Sequence, residues 1–383
     1  MDRVSGGYLY DRMVSAGLTS RGVRVDTLAL SKPPYLLSIF QSLSPRIRDV
    51  FRPSRRRANG RGKYDFVIVD ELVHPSVCFA LPRRRAGGGS VVTLLHHLKS
   101  KERIPPLLRF VSSFLERTLL RRSNMVVANS RTTSDTVREL AVRRVPVRVC
   151  RPGKDALGSG PGDMMERRTA RGTVRILSVG TLIPRKGFHL LIPAIELIKD
   201  LDCALTIAGG TGTDRTYTRK IEEMIVKCGL SERVTLAGAV PEKDLVRLYR
   251  SSHIFAFPTR YEGYGIVLAE ALFFGLPYVA FNSGAIAEVV GLYEKRASLA
   301  AVGGDPPGIT RAPGGYLVSD HSVEELARGL RLLIEKREER KELEKEAGKL
   351  GSRLPSWEDT ALCFYETLAG FSTDAIRTED DRP

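Results

Sequence analysis

The stretch from Phe255 to Leu276 reads FAFPTRYEGYGIVLAEALFFGL, and it admits few folds. Ile254–Phe257 is a short apolar run closed by Pro258, the mark of a buried strand. Gly263 and Gly265 punctuate the loop that follows. From Ile266 to Phe274 the chain is apolar nearly all round, which predicts a helix buried on most sides. Gly275 and Pro277 end it. Glu262 and Glu270 lie eight positions apart, and on one helix they would be about 12 Å apart. They cannot then act on one atom, but they can hold two ends of an elongated ligand. Glu270 sits among Leu268, Ala269, Ala271 and Leu272, so it is desolvated and needs a partner. A vicinal diol such as a ribose offers two donors. The free N–H groups at the helix start make a phosphate seat between the two carboxylates. The plainer alternative is a strand-turn-helix with a salt-bridged Glu270.

The nonapeptide EGYGIVLAE resembles the paired-glutamate motif of the retaining glycosyltransferases of family four, the glycosyl transferases group 1. The resemblance implies an α/β chain of GT-B type, with two doubly wound, Rossmann-like domains facing across a cleft. It implies transfer of a hexose from a nucleotide-diphosphate sugar, of UDP-glucose or GDP-mannose type, to a glycan or lipid-linked acceptor. The donor is then a substrate, and no separate cofactor is expected. Glu262 would orient sugar hydroxyls and Glu270 the ribose, with Gly263, Tyr264, Gly265, Ile266 and Val267 along the donor. No metal is expected to neutralise the diphosphate. That task falls to Lys186 and the N–H groups near Gly265 and Ile266. The family reacts on one face of the sugar without a protein nucleophile.

The second half opens with a strand, Val174–Val179, followed by GTLIPRKGFHLLIPAIELI. A glycine-lysine loop between strand and helix suits anion binding. Gly180, Lys186 and Gly187 match the family's Gly-Arg and Lys-Gly positions, but Thr181 stands where arginine is usual. Arg185 is the replacement candidate, although a side chain adjacent to Lys186 points elsewhere on a regular backbone. By resemblance, backbone near Gly238 holds the nucleobase. Further strands are expected at Leu205–Ala208, Val234–Ala237, Tyr278–Phe281 and Gly315–Val318, the last. Helices are expected at Tyr217–Cys228 and Glu242–Arg250. Residues 291–314 read as an insertion or irregular loop, and Val323–Lys349 as one solvent-facing helix. Trp357–Leu368 reads as an amphipathic helix that, by resemblance, crosses back to the first domain.

The first half starts with Ser5-Gly6-Gly7 and a helical run to Leu18. In the family a strand precedes this loop, which approaches the donor phosphates. That strand is missing here, and Gly6 and Gly7 are expected at the cleft. Strands are expected at Val23–Leu30, Tyr64–Val69, Ser90–Leu95, Met125–Ala128 and Val145–Val149. Open α/β sheets place ligands at strand ends, where His96 and His97 follow Leu95. By resemblance His96 contacts the transferred sugar, with His97 at the family's aspartate position and the register open by one residue. No third ligand is spaced for a metal. Pro105–Ser123 is helical, with Leu107, Leu108, Val111, Phe114, Leu115 and Leu119 as its core face and arginines outside. A membrane-surface helix is the sharper reading. Asn129–Thr133 reads as a loop capping a helix from Ser134.

Strand-helix alternation through both halves predicts a doubly wound parallel sheet in each. The expected domains are 1–152, a linker at 153–172, 173–354, a returning helix at 355–370 and a disordered tail at 371–383. Residues 1–170 hold 32 Lys and Arg against 14 Asp and Glu, whereas the remainder is near neutral. The charge favours a membrane-bound or anionic acceptor facing the first half. Arginine clusters at 55–57, 83–85 and 121–122 would also suit a nucleic-acid-binding protein. With aromatic residues at 7% and no nucleic-acid motif, that partner is not expected. A sugar-nucleotide epimerase of similar architecture is the enzymatic rival. No apolar run reaches the ~20 residues of a membrane span, and no signal peptide is visible. The five cysteines show no metal or redox spacing, which fits a reducing cytosol. The expected location is cytoplasmic, peripheral on the inner face of a membrane.

Overall fold

In a computed structural model the described residues are 6–31, 34–51, 64–81, 90–102, 104–140, 145–158, 172–295, 308–319 and 321–380. The chain divides into two compact units. The smaller comprises residues 13–151 and 358–383, and the larger comprises 1–12 and 152–357. The arginine clusters 55–57 and 83–85, most of the linker, and residues 296–307 of the 291–314 stretch lie outside the described residues.

The smaller unit is built on four parallel strands in the order β1 (Phe66–Asp70), β2 (Ser90–Leu95), β3 (Met125–Ala128) and β4 (Val147–Val149). β2 and β3 are almost wholly buried, as their continuous apolar runs require. Val23–Leu30 alternates like a strand but pairs with none among the described residues, and Leu28 is exposed. Alternation needs a neighbouring edge to become a strand, and among the described residues this segment has none. The helix after β3 begins at Arg131, three residues earlier than expected, because Ser130 caps it by accepting from the Thr133 N–H. Helix Pro106–Arg122 keeps only part of its expected core face. Leu115 and Leu119 are buried as expected, with Ser112, Glu116 and Leu120 beside them, and Arg109, Arg117 and Arg121 are exposed, but Leu107 and Phe114, together with Phe110, face out. The closing helix, Trp357–Asp380, runs past residue 370 into the expected disordered tail. No glycine or proline follows Gly370 before Asp380 to stop it. Its Phe364 is buried and its Thr360 donates to the Arg151 carbonyl at 2.7 Å. Cys363 lies with its sulfur 2.7 Å from that of Cys150, a pairing that sequence spacing does not disclose.

The larger unit carries a seven-stranded sheet. In chain order the strands are β5 (Val174–Val179), β6 (Cys203–Ala208), β7 (Val234–Gly238), β8 (Ile254–Phe257), β9 (Tyr278–Phe281), β10 (Ile309–Ala312) and β11 (Gly315–Val318). Their order in the sheet is β10-β11-β9-β8-β5-β6-β7. All pairs are parallel except β10 with β11. β10 corrects the irregular-loop expectation. Pro313-Gly314 turns the chain between the pair, with Gly314 at φ +78, and this Pro-Gly turn signal is legible in the sequence. The single surface helix expected at Val323–Lys349 is two helices, Val323–Glu335 and Arg337–Arg353, broken at Lys336. Neither is merely solvent-facing. Leu343, Ala347 and Gly351, spaced by four, are buried, and a Cβ on Gly351 would meet the Leu272 carbonyl carbon at 2.3 Å. β6 and β7 lie on one side of β5, and β8, β9 and β11 on the other. The strand order therefore reverses between β5 and β8, the place where open α/β sheets bind ligands.

Candidate functional site

At the carboxyl end of β5 the chain turns through Gly180 into a short 3-10 turn, Pro184–Lys186. Gly187 follows at φ +75, and a Cβ there would lie 1.8 Å from the Pro258 carbonyl oxygen. Only glycine lets the turn come this close to the end of β8. The turn swings Lys186 back over Gly180, where a Cβ would lie 3.4 Å from the lysine Cδ. Lys186 Nζ donates to Glu262 Oε1 at 2.5 Å. Arg185 Nη1 reaches the same oxygen at 3.4 Å and donates to the Tyr261 carbonyl at 2.7 Å. The two basic side chains thus converge, contrary to the divergence expected for neighbours, because 3-10 geometry is not that of a regular strand. Thr259 donates to Glu262 Oε1 at 2.9 Å.

Burial alone would raise the Glu262 carboxyl, but the Lys186 ammonium and Arg185 guanidinium overcome it and hold the pKa down to about 2. Burial likewise pulls the Lys186 ammonium below its usual range, against the attraction of Glu262. The Lys186 ammonium also lies 5.9 Å from the Phe257 ring centroid. Gly284, at φ +60, presses on the Glu262 backbone from the far side, and Ala285 N–H donates to the Glu262 carbonyl at 3.0 Å.

Glu262 and Glu270 do not share a helix. Glu262 is in the loop, and the helix Ile266–Phe273 starts after Gly265, at φ +102. Ile266 and Val267 are half-buried in its first turn, where N–H groups have no intrahelical carbonyl to bond. Gly6 belongs to this unit and lies against the same turn, its Cβ position 3.4 Å from Ile266 Cδ1. Gly7 is the next residue of the opening helix. Glu270 is fully buried, and Tyr249 donates to its Oε2 at 3.1 Å and to the Val267 carbonyl at 3.2 Å. Gly263 is buried in the loop, and Tyr264 is buried in the same apolar cluster as Phe257 and Ile286. Gly238 ends β7 at φ +65, and its carbonyl accepts from the Gly209 N–H.

His96 stands in the smaller unit, at the end of β2. It is buried, with Nε2 3.8 Å from Asp70 Oδ1. His97 is half-buried and bonded through Nε2 to Glu102 at 2.8 Å. The backbone N–H groups of both histidines donate to Glu71 Oε2, at 3.1 and 2.7 Å. Glu71, Thr259 and Tyr249 are the supporting residues that sequence reasoning left unassigned. Glu71 had a signal, its place at the end of β1. Thr259 and Tyr249 act through contacts that no local pattern announces.

Parallel sheets in two units, with a lysine and a carboxylate meeting at a topological switch point, define the GT-B class of fold. The chain belongs to the family-four, group 1 glycosyltransferases. The profile "Glycosyl transferases group 1" matches residues 166–350 and "Glycosyltransferase Family 4" matches residues 11–156. A D-inositol 3-phosphate glycosyltransferase of Mycolicibacterium gilvum is 32% identical over 178 residues, 45% of this chain and 36% of that relative. The chain therefore matches well under two thirds of that protein's length. Among solved structures, sucrose-phosphate synthase of Thermosynechococcus elongatus superposes with a TM-score of 0.77 at 18% identity, covering 97% of this chain and 95% of the other. Anabaena HepE in complex with UDP and glucose superposes at 0.69 and 19%, covering 95% and 96%. At these identities both likenesses speak for the fold.

Proposed function

We propose that this chain is a retaining hexosyltransferase, moving a hexose from a nucleotide-diphosphate sugar of UDP-glucose or GDP-mannose type to a glycan or lipid-linked acceptor. The observation that carries the reading is the Lys186–Glu262 pair, set at the β5–β8 switch point beside the start of the Ile266–Phe273 helix. Lys186, with the first-turn amides of that helix, would neutralise charge developing on the leaving diphosphate. Arg185 reaches the same region from the next position. Glu262 would bind sugar hydroxyls, with Thr259 fixing its carboxylate. Glu270, oriented by Tyr249, is assigned the ribose; because it is fully buried, that contact requires the first turn of the helix to give way. Backbone near Gly238 is assigned the base, and Gly6 and Gly7 the diphosphate. His96 is assigned to the transferred sugar on the family resemblance alone, as is retention of configuration. No cofactor enters the reaction, because the donor is itself a substrate and these groups supply the positive charge. The basic first half supports a membrane-bound or anionic acceptor and a peripheral place on the cytoplasmic face.

Radiolabelled sugar nucleotides incubated with candidate acceptors test the reading. Glu262→Gln and Lys186→Met are each expected to lower transfer at least a hundredfold, about 3 kcal/mol of transition-state binding. Near-native transfer by either variant removes the role given to that residue. Sugar interconversion without acceptor would favour the epimerase instead, and inversion at the anomeric carbon would remove retention.

A further inference from the structure

Helix Pro106–Arg122 is inverted along part of its length. Ser112 and Glu116 face the core, 0% and 1% exposed, whereas Leu107 and Phe110 are 77% and 73% exposed and Phe114 is 56%. The outward stripe runs Leu107, Phe110, Phe114, Arg117, Arg121, at alternating spacings of three and four, so these residues share one face. It is about 21 Å long, apolar over its first half and basic over its second. Arg109 is also exposed beside it. The helix has one acidic residue, Glu116, and that one points inward. The 3-10 segment Leu37–Leu43 repeats the inversion, burying Ser38 and Ser42 while Leu37, Phe40 and Leu43 are exposed. Tyr35, just before it, lies near Ser112 and Glu116 on the inner side of the long helix, so the two inverted elements are neighbours. Exposed Arg46 and Arg48 follow in Pro45–Val50, with Asp49 between Arg48 and Val50 the only acid there.

Three phenylalanines and several leucines held in water on adjacent elements call for an occupant. A second copy of the chain fits poorly. Pairing the stripes in parallel sets Arg117 and Arg121 against their own copies, and pairing them antiparallel sets arginines against phenylalanines, with no acid on the face to answer them. A bilayer answers both halves, with acyl chains for the rings and phosphates for the guanidiniums. We propose that the outward faces of Pro106–Arg122 and Leu37–Leu43 form a docking surface for an anionic phospholipid bilayer. Phe40, Leu107, Phe110 and Phe114 enter the boundary between headgroups and acyl chains, and Arg109, Arg117 and Arg121 bind headgroup phosphates. Docking here does not depend on the transfer chemistry, and its test reads no transfer.

The full-length protein is sedimented with vesicles of phosphatidylcholine alone and of phosphatidylcholine mixed with phosphatidylglycerol. Binding is expected to the mixed vesicles and to be at least tenfold weaker to phosphatidylcholine alone. Phe110→Ser/Phe114→Ser is expected to weaken binding to mixed vesicles at least tenfold. Arg117→Gln/Arg121→Gln is expected to do the same and to flatten the salt dependence. Val226→Ser, at an exposed apolar position of the larger unit, should bind like wild type. Equal binding to both vesicle types, no binding, or indifference to the double substitutions overturns the proposal. So does a dimer in light scattering that Phe110→Ser/Phe114→Ser dissolves, or binding to nucleic acid that needs the arginines but not the phenylalanines. If the phenylalanine variant fails to fold, hydrogen exchange of the wild-type protein on mixed vesicles decides. Protection centred on 37–43 and 106–122 supports the surface, and its absence there overturns it.

Discussion

Glu262 faces two cations with one oxygen, and this sets its behaviour in acid. Its folded pKa, about 2, lies below the ordinary carboxylate value of 4.5. A depressed pKa contributes stability that is fully present above the unfolded value and is lost as pH falls through the folded one. The contribution at neutral pH is about 3 kcal/mol. Glu262→Gln should therefore show a shallower fall of Tm between pH 5 and pH 2 than wild type, read by circular dichroism. Unchanged slopes would show that the pair is not formed in solution. Glycine offers a second comparison. Gly187 and Gly229 share a positive φ, +75 and +67, but a Cβ on Gly187 would strike the Pro258 oxygen whereas one on Gly229 meets nothing within 4 Å. Gly229→Ala is expected to cost about 1 kcal/mol from backbone strain alone. Gly187→Ala adds a clash with backbone and should cost several times more in urea melts. At this scale Lys186, Gly187 and Glu262 were legible, because charge and glycine in a strand-loop-helix context carry their own signal. Arg185 was read as diverging from its neighbour, since a turn's local geometry is not written in residue types.

Elements were legible where apolar runs were continuous. β2, β3, β5, β8 and β9 stand where the sequence puts them, within a residue or so, because a strand buried on both faces is mostly apolar along its length. Amphipathic elements misled. Helix Pro106–Arg122 has apolar residues on two faces, and periodicity cannot say which one the core takes. The core takes the face with Glu116, whose carboxylate accepts from the Ser100 N–H at 3.0 Å and from the Ser100 hydroxyl. Burial raises its pKa to about 7 despite those bonds. A carboxyl raised on folding gives stability that is fully present below its unfolded value and is lost as pH rises through about 7. Glu116→Gln is expected to raise Tm at pH 8 and to leave it nearly unchanged at pH 5. A loss of stability at both would mean that the ionised form is the one held.

On the scale of the whole molecule, the two doubly wound units were legible from strand-helix alternation, but the grouping of residues 1–12 with the larger unit was not, and the return of the closing helix was implied by the family resemblance alone. Contacts between segments far apart in sequence decide it, and no window of residues contains them. Residues 358–383 group with 13–151. Within that unit a Cβ on Gly17 would meet Ala361 Cβ at 2.3 Å, and Arg21 is ion-paired with Glu358. Deleting residues 358–383 should therefore destabilise the smaller unit and spare the larger. In calorimetry the truncated chain should lose or lower one transition, and a nucleoside diphosphate should still raise the other. Loss of both transitions together would show one cooperative body. The same allotment orders events on the ribosome. Residues 13–151 of the smaller unit are made before 152–357 of the larger, but the helix that covers them is made after both, so the nascent chain can complete the larger unit while most of the smaller one still waits for that helix. Until that helix emerges, the buried surface meant for Phe364 and Ala361 is open to chaperones, and a stop before residue 358 would strand residues 13–151.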